Sequence, residues 1–205
     1  MTKILNISQN DSSSDSRQKD QLFLSSSFPR SASEKMPFIF AASRLGKGTK
    51  NMNALEAVAP RLPWPVYMAG PKEANGAPAR LRHINLVGRL DFEELQSWFA
   101  WASIYVMPTG DEPSHQPVLQ AARAGCALVL SDTPSLRRMW GNAALYAPPD
   151  DLETLEVALV LLIADSIYLD LMAKRAFARA QKLASEWRAG NYFSNRIYDL
   201  DVWQA

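Results

Sequence analysis

Residues 104–130 read IYVMPTGDEPSHQPVLQAARAGCALVL, and this stretch decides the fold. Its opening run IYVM (104–107) and its closing run ALVL (127–130) are both apolar throughout and of strand length. Between them Pro117 takes a first-turn position, where a missing amide costs a helix nothing, and Gly125 stands just past the last helical residue. The unit is strand, helix, strand, with a loop around Glu112 where the first strand gives way to the helix. Strands that are apolar throughout, rather than alternating with polar residues, are those covered on both faces.

The same grammar extends both ways. Upstream, apolar runs at 38–42, 66–69 and 84–87 predict three more strands. Met52, Leu55, Val58 and Ala59 have helical spacing, and Pro60 and Pro63 end that helix. Asp91 and Glu94 form a capping box ahead of Leu95, Trp98, Phe99 and Ala102. Downstream, Thr133-Pro134 repeats the helix start and Gly141 repeats the stop. Asp151 opens a longer helix with Leu155, Leu159, Leu162 and Ile163 on one face, and 168–184 and 187–203 predict C-terminal helices. Strict alternation of strand and helix predicts an α/β fold with a doubly wound parallel, Rossmann-like sheet. Ligands of such sheets bind beyond the carboxyl ends of the strands, where Arg44, Gly70, Gly88 and the loop from Pro108 to Glu112 fall.

Residues 1–35 differ in character. Ser12, Ser13, Ser14, Ser16, Ser25, Ser26, Ser27, Ser31 and Ser33 are interspersed with charges, a composition that buries too little surface to offset its ordering entropy. The expected organisation is a disordered tail over 1–35 and one domain over 36–205.

Bulk properties narrow the function. Twenty-two lysines and arginines against 21 aspartates and glutamates leave a net charge of +1, which excludes recruitment of nucleic acid or anionic membrane by a global field. An anion site must be local. Cys126 is the single cysteine, which excludes an internal disulfide framework and offers no metal cluster. The strongest apolar run, 157–164, is far shorter than the ~20 residues that span a bilayer, and the N-terminus carries no secretory pattern. The expectation is a soluble, cytoplasmic protein without an integral membrane segment.

Arg44 and Lys50 flank the turn between the first strand and its helix. An arginine fork, a compact ammonium and the amides of a helix start suit phosphate, though spacing alone leaves the pair open between a phosphate clamp and two solvated surface cations. Gly46-Lys47-Gly48 is no Walker loop, because the required earlier glycine is Ala41 and Gly48 stands where Ser or Thr is needed. No Gly-x-Gly-x-x-Gly follows a predicted strand, which disfavours a dehydrogenase as well. Glu112 has the chemistry to accept hydrogen bonds from sugar hydroxyls, and Gln120, eight positions later, to reach a ribose. Each reads equally well as an ordinary polar side chain. His83 adjoins a strand and reads as structural, His115 lies in the candidate loop, and neither has partners at metal-ligand spacing.

Taken together, these residues resemble the C-terminal, nucleotide-sugar-binding domain of the family 4 glycosyltransferases, one half of the GT-B fold. The resemblance runs through Ala42-Ser-Arg-Leu45 with Lys50-Asn51, Leu86-Val-Gly88, and Val106-Met-Pro-Thr109 before Glu112. It is densest over Val118-Leu-Gln-Ala-Ala122 and 124–130, and continues through Ser131-Asp132, Ala143-Ala-Leu-Tyr146 and Pro148-Pro-Asp-Asp151. It implies that Arg44 and Lys50 bind the donor diphosphate. It implies that Glu112, the first glutamate of the family's E-x7-E motif, and the loop position of His115 face the donor sugar. It implies that Gln120 stands where the second glutamate contacts the ribose. Such enzymes retain anomeric configuration and need no metal or other cofactor, since cations and helix amides stabilise the departing diphosphate.

Two departures accompany the resemblance. Ser114, His115 and Gln116 replace a glycine-bearing triplet, and a histidine side chain crowds amides that glycine would bring close to a phosphate. Gln120 keeps hydrogen-bonding capacity without the charge. A GT-B enzyme also has a first domain that binds acceptor, which a separate domain or chain is expected to supply. The expected function is thus a retaining glycosyltransferase present as its donor domain, or a truncated or degenerate, non-catalytic module that binds a nucleotide or nucleotide sugar.

Overall fold

A computed structural model describes residues 35–42, 50–70, 73–74, 77–78, 81–108 and 116–189. The first strand, β1, is Met36–Ala42, and helix α1, Lys50–Val58, carries the chain to β2, Val66–Ala69. A two-stranded antiparallel hairpin, β3 (Glu73–Ala74) and β4 (Ala77–Pro78), precedes β5, Ile84–Gly88. Then follow α2 (Phe92–Trp101), β6 (Ala102–Met107), α3 (Gln116–Arg123), β7 (Ala127–Ser131) and α4 (Pro134–Trp140). The last elements are β8 (Leu145–Ala147), α5 (Leu152–Ala164) and α6 (Ser166–Ala189).

Six strands form one sheet in the order β5-β2-β1-β6-β7-β8, and every neighbouring pair is parallel. The expected doubly wound sheet is the observed one. Three details differ from the sequence reading. α6 runs unbroken through 184–187, where the sequence predicts the end of one C-terminal helix and the start of a second, while 190–203 of that second helix and 1–34 of the expected tail lie outside the described residues. The β2-to-β5 crossover contains the small hairpin, and β8 adds an edge strand too short to stand out by pattern.

The side chains of each strand alternate between two apolar layers. On one face Phe38, Phe40, Tyr105, Leu128 and Leu130 meet Leu95 and Phe99 of α2, Val118 of α3 and Leu136 and Trp140 of α4. On the other, Ile39, Met68, Ile104, Val106 and Val129 meet Leu55 and Val58 of α1 and Leu155, Leu159 and Leu162 of α5. α6 joins the layers, giving Leu169, Met172 and Ala173 to the second and Ala176, Ala180 and Leu183 to the first. Each fully buried large side chain contributes about 1.5–3 kcal/mol.

Local signals set the helix ends. Asp91 accepts from the Glu94 amide at 2.8 Å while Glu94 accepts from the Asp91 amide at 3.1 Å, the capping box read from sequence. Thr133 and Asp151 cap α4 and α5 through the Leu136 and Thr154 amides. Gly125 and Gly141 follow α3 and α4 with φ of 81° and 53°, a region side chains avoid.

Two charged groups tie elements together. Lys35, immediately before β1, is buried, and its ammonium donates to the carbonyls of Phe99 at 2.9 Å and Ala102 at 2.7 Å, where α2 ends. The packed domain thus includes the residue just before the expected boundary.

Glu56 of α1 pins the segment entering β5. It accepts from the amides of Arg82 at 2.7 Å, His83 at 2.9 Å and Ile84 at 3.1 Å, and meets His83 Nδ1 at 2.9 Å. Partial burial works against its charge, yet the hydrogen bonds from Arg82, His83 and Ile84 together hold its pKa below the ordinary 4.5. A depressed carboxylate contributes stability above its unfolded-state pKa and loses it as pH falls through the folded value. Glu56→Gln is therefore expected to cost about 1–2 kcal/mol at pH 7 in urea unfolding. That difference from the parent should shrink as pH drops below 4.5. A gap unchanged at pH 3 would show that the carboxylate charge contributes nothing.

Candidate functional site

The sheet reverses its winding between β1 and β6. These strands are parallel neighbours with Ile39 beside Ile104 and Phe40 beside Tyr105, yet β1 leads through α1 to β2 and β6 leads through α3 to β7 on the opposite side. The connections leave on opposite faces of the sheet, α3 packing on one and α1 on the other. Such a switch point is where doubly wound sheets take their ligands.

In chain order the sequence-derived candidates fall in or next to the segments that follow these two strands and, for Gln120, in the helix after β6. Arg44 lies between the end of β1 and the start of α1, and Lys50 is the first residue of α1. Glu112 and His115 lie between the end of β6 and the start of α3. Arg44, Glu112 and His115, and the side chain of Lys50, lie outside the described residues. Gln120 is described.

Gln120 sits on the second turn of α3, beyond β6. Val118, Ala121 and Ala122 hold that helix against the sheet while Gln120 remains only partly buried. Its Oε1 is buried and has no hydrogen-bond partner among the described residues. An orphaned acceptor costs about 1–3 kcal/mol, so native proteins rarely keep one without a use. Whichever way the amide is turned, one of its two polar atoms occupies that position. Trp140 Nε1 is orphaned as well, and Tyr105 Oη has only the backbone of Ala42 beside it, but these residues are 1% and 0% exposed, inside the core where no ligand reaches. Burial pushes the Tyr105 phenol well above its usual pKa and keeps it neutral.

Sequence reasoning missed two supports of the rim. The buried Ser131 hydroxyl, at the end of β7, donates to the Met107 carbonyl at 3.2 Å and fixes the end of β6, from which the Glu112 segment departs. Arg137 donates through two nitrogens to Asp132, its Nη2 at 2.7 Å from Oδ2, and its guanidinium lies 4.5 Å from the Tyr146 ring centre. The Arg137 fork holds the Asp132 carboxyl below its usual range. Burial first of all pushes the Tyr146 phenol up to about 12, and its hydroxyl donates to the Gly141 carbonyl at 2.8 Å. Arg137 is thus neutralised locally and locks the turn into α4. The Asp132 to Arg137 spacing across a helix start is the one signal that could have found this clamp.

At the end of β5, Gly88 has φ of 89° and its carbonyl accepts from the Gly70 amide at 2.9 Å, which brings the ends of β2 and β5 together. His83 stands at the other end of β5, just before its first residue, in the contact with Glu56. Among the described residues no group of three or more His, Cys, Asp or Glu is arranged to hold a metal ion. Nor is any described helix long and apolar enough to cross a membrane.

The fold is that of an α/β protein whose sheet matches one half of a GT-B glycosyltransferase. Residues 36–165 match the family described as Glycosyl transferases group 1, and the chain belongs to that family. It is similar to the O-antigen chain mannosyltransferase B of Escherichia coli, 27% identical over 103 residues that cover 50% of this chain and 27% of that protein. Among solved structures it resembles sucrose-phosphate synthase from Thermosynechococcus elongatus, with TM-score 0.64, 22% identity and coverage of 85% of this chain and 45% of that one. It also resembles the C-terminal domain of a glycosyl transferase group 1 protein (LpcC) from Francisella tularensis, with TM-score 0.57, 17% identity and coverage of 73% and 87%. The chain thus spans about a quarter of the curated relative and under half of the synthase.

Proposed function

We propose that this chain is the donor-binding half of a retaining, family 4-like glycosyltransferase that transfers a sugar from a nucleotide-diphosphate donor. The observation that carries the reading is the orphaned Gln120 acceptor beside the β1–β6 switch point. A buried acceptor with no donor among the described residues fits a ligand hydroxyl, and a ribose supplies one. On this reading Arg44 and Lys50, in and just after the segment that follows β1, hold the diphosphate, and Glu112 with the His115 loop faces the sugar. Catalysis on this reading is electrostatic: the two cations and the amides opening α1 take up the charge that develops on the leaving diphosphate, with no metal required. The acceptor is bound by a further domain or chain, and the protein acts in the cytoplasm.

Calorimetry against UDP, GDP, ADP and their common sugar conjugates tests the reading. One nucleotide family is expected to bind with a Kd in the micromolar to low millimolar range, of order −4 to −8 kcal/mol. Silence across the whole panel overturns it. Restoring a carboxylate with Gln120→Glu, alone and with His115→Gly, is expected to tighten binding about 5- to 30-fold, because hydrogen bonds to charged groups exceed neutral ones by about 1–2 kcal/mol. The same departures favour a second reading, a module that binds nucleotide sugar without turning it over. Measurable binding with no hydrolysis or transfer, even beside an acceptor-binding partner, would select it.

A further inference from the structure

We propose that the outer face of α5, continued by the start of α6, is a self-association surface joining two copies of this chain. α5 is apolar almost all round. Leu155, Ala158, Leu159 and Leu162 face the sheet, while Val157 (59% exposed), Val160 and Leu161 (45%) face water on the other side. Ala164, also exposed, completes that outer ridge at i, i+3, i+4 and i+7 spacing. A helix apolar on both faces is one that is covered on both faces.

The ridge continues across the junction with α6 through Ile167, 82% exposed, and Leu171. Asp165 Oδ1 accepts from the amides of Ile167 at 3.0 Å and Tyr168 at 2.9 Å, so the corner that presents Ile167 is a built cap.

The occupant follows from shape, area and charge. The exposed side chains offer on the order of 400 Å2 of apolar surface, as large as the main patch on many monomers and about half of one side of a standard interface. Two copies would bury roughly 800–1,000 Å2, which suits a weak, concentration-dependent dimer. The one charge inside the ridge is the Asp165 carboxylate, held at the corner by the amides of Ile167 and Tyr168. The ridge starts beside Glu153, on the first turn of α5, and ends beside the exposed Arg175 of α6, Lys174 being paired with Asp170, so a twofold pairing sets acid against base at both ends. With Glu153, Asp165 and Asp170 against Lys174 and Arg175, the face also lacks the basic excess that draws a protein to an anionic membrane. Antiparallel packing of two such ridges is common helix geometry, and the small Ala164, near the middle, admits close approach at the axis.

Sedimentation velocity on the full chain between about 1 and 200 µM tests the proposal. Monomer is expected to convert to dimer across that range, whereas Leu161→Glu with Ile167→Glu should raise the dimer dissociation constant at least tenfold. Both residues are exposed, and an unchanged far-ultraviolet circular dichroism melt establishes that the variant folds. Ala164→Cys provides a second readout: mild oxidation should give a disulfide-linked dimer that the parent, whose Cys126 is buried, does not form. A monomer at every concentration, a dimer indifferent to the glutamates, or an Ala164→Cys chain that does not cross-link would each overturn it.

Discussion

Replacing Arg44 and Lys50 together with alanine is expected to lower affinity for UDP or GDP by about 100-fold or more, by calorimetry. The size follows from the chemistry. A hydrogen bond to a charged group is worth about 1.5–3 kcal/mol, and two of them on one diphosphate give ~3–5 kcal/mol, against 1.4 per tenfold. The chain carries a net charge of only +1, so no distant field replaces the pair. Raising salt from ~50 to 500 mM should weaken the parent and leave the double variant nearly unaffected, since screening acts only where charges meet. The single changes should differ, with Arg44→Lys keeping charge but losing the planar fork. A double variant that binds within about threefold of the parent would place the diphosphate elsewhere.

How far this site was legible can be followed residue by residue. The strand cores over 38–42, 66–69, 104–107 and 127–130 are continuous apolar runs, which only strands buried on both faces require. Their helices follow from Asp91, Glu94, Thr133, Gly125 and Gly141, whose capping roles depend on near neighbours in the chain. β8 escaped because its three residues, Leu145, Tyr146 and Ala147, carry no repeat, and the β3–β4 hairpin because its strands have two residues each.

The site was legible only by order along the chain. Sequence shows that Arg44 follows one strand and Glu112 another, but only the sheet shows that these strands are neighbours. Ser131 binding Met107 rests on that adjacency alone and leaves no local trace. Neither does the orphaned oxygen of Gln120, since a partly buried glutamine and a solvated one look alike in sequence.

Lys35→Ala is expected to destabilise the domain by about 2–4 kcal/mol, the largest effect on stability of any single charged residue discussed above. In the sequence this lysine borders a serine-rich stretch and has no sign of burial. In the fold its ammonium lies at the end of α2, where the carbonyls of Phe99 and Ala102 have no further helical amide to meet. A cation there also meets the negative end of the helix dipole. Cys126 completes the group: its thiol donates to the same two carbonyls at 3.2 and 3.3 Å, and the ammonium lies 3.4 Å from Sγ. Burial pushes the thiol pKa up and the neighbouring lysine draws it down by less, so Cys126 stays protonated and can donate. Loss of the lysine leaves two buried carbonyls sharing one weak S–H donor, and a cavity where the alkyl stem lay. Lys35→Met separates these contributions by refilling the stem without the charge. It should recover part of the loss, and Lys35→Arg little, because a planar fork does not fit a site shaped for a compact ammonium. For a domain of this size a loss of 2–4 kcal/mol corresponds to a Tm lower by roughly 4–16 °C, readable by calorimetry or urea unfolding. A Lys35→Ala variant as stable as the parent would mean that water satisfies the end of α2 equally well.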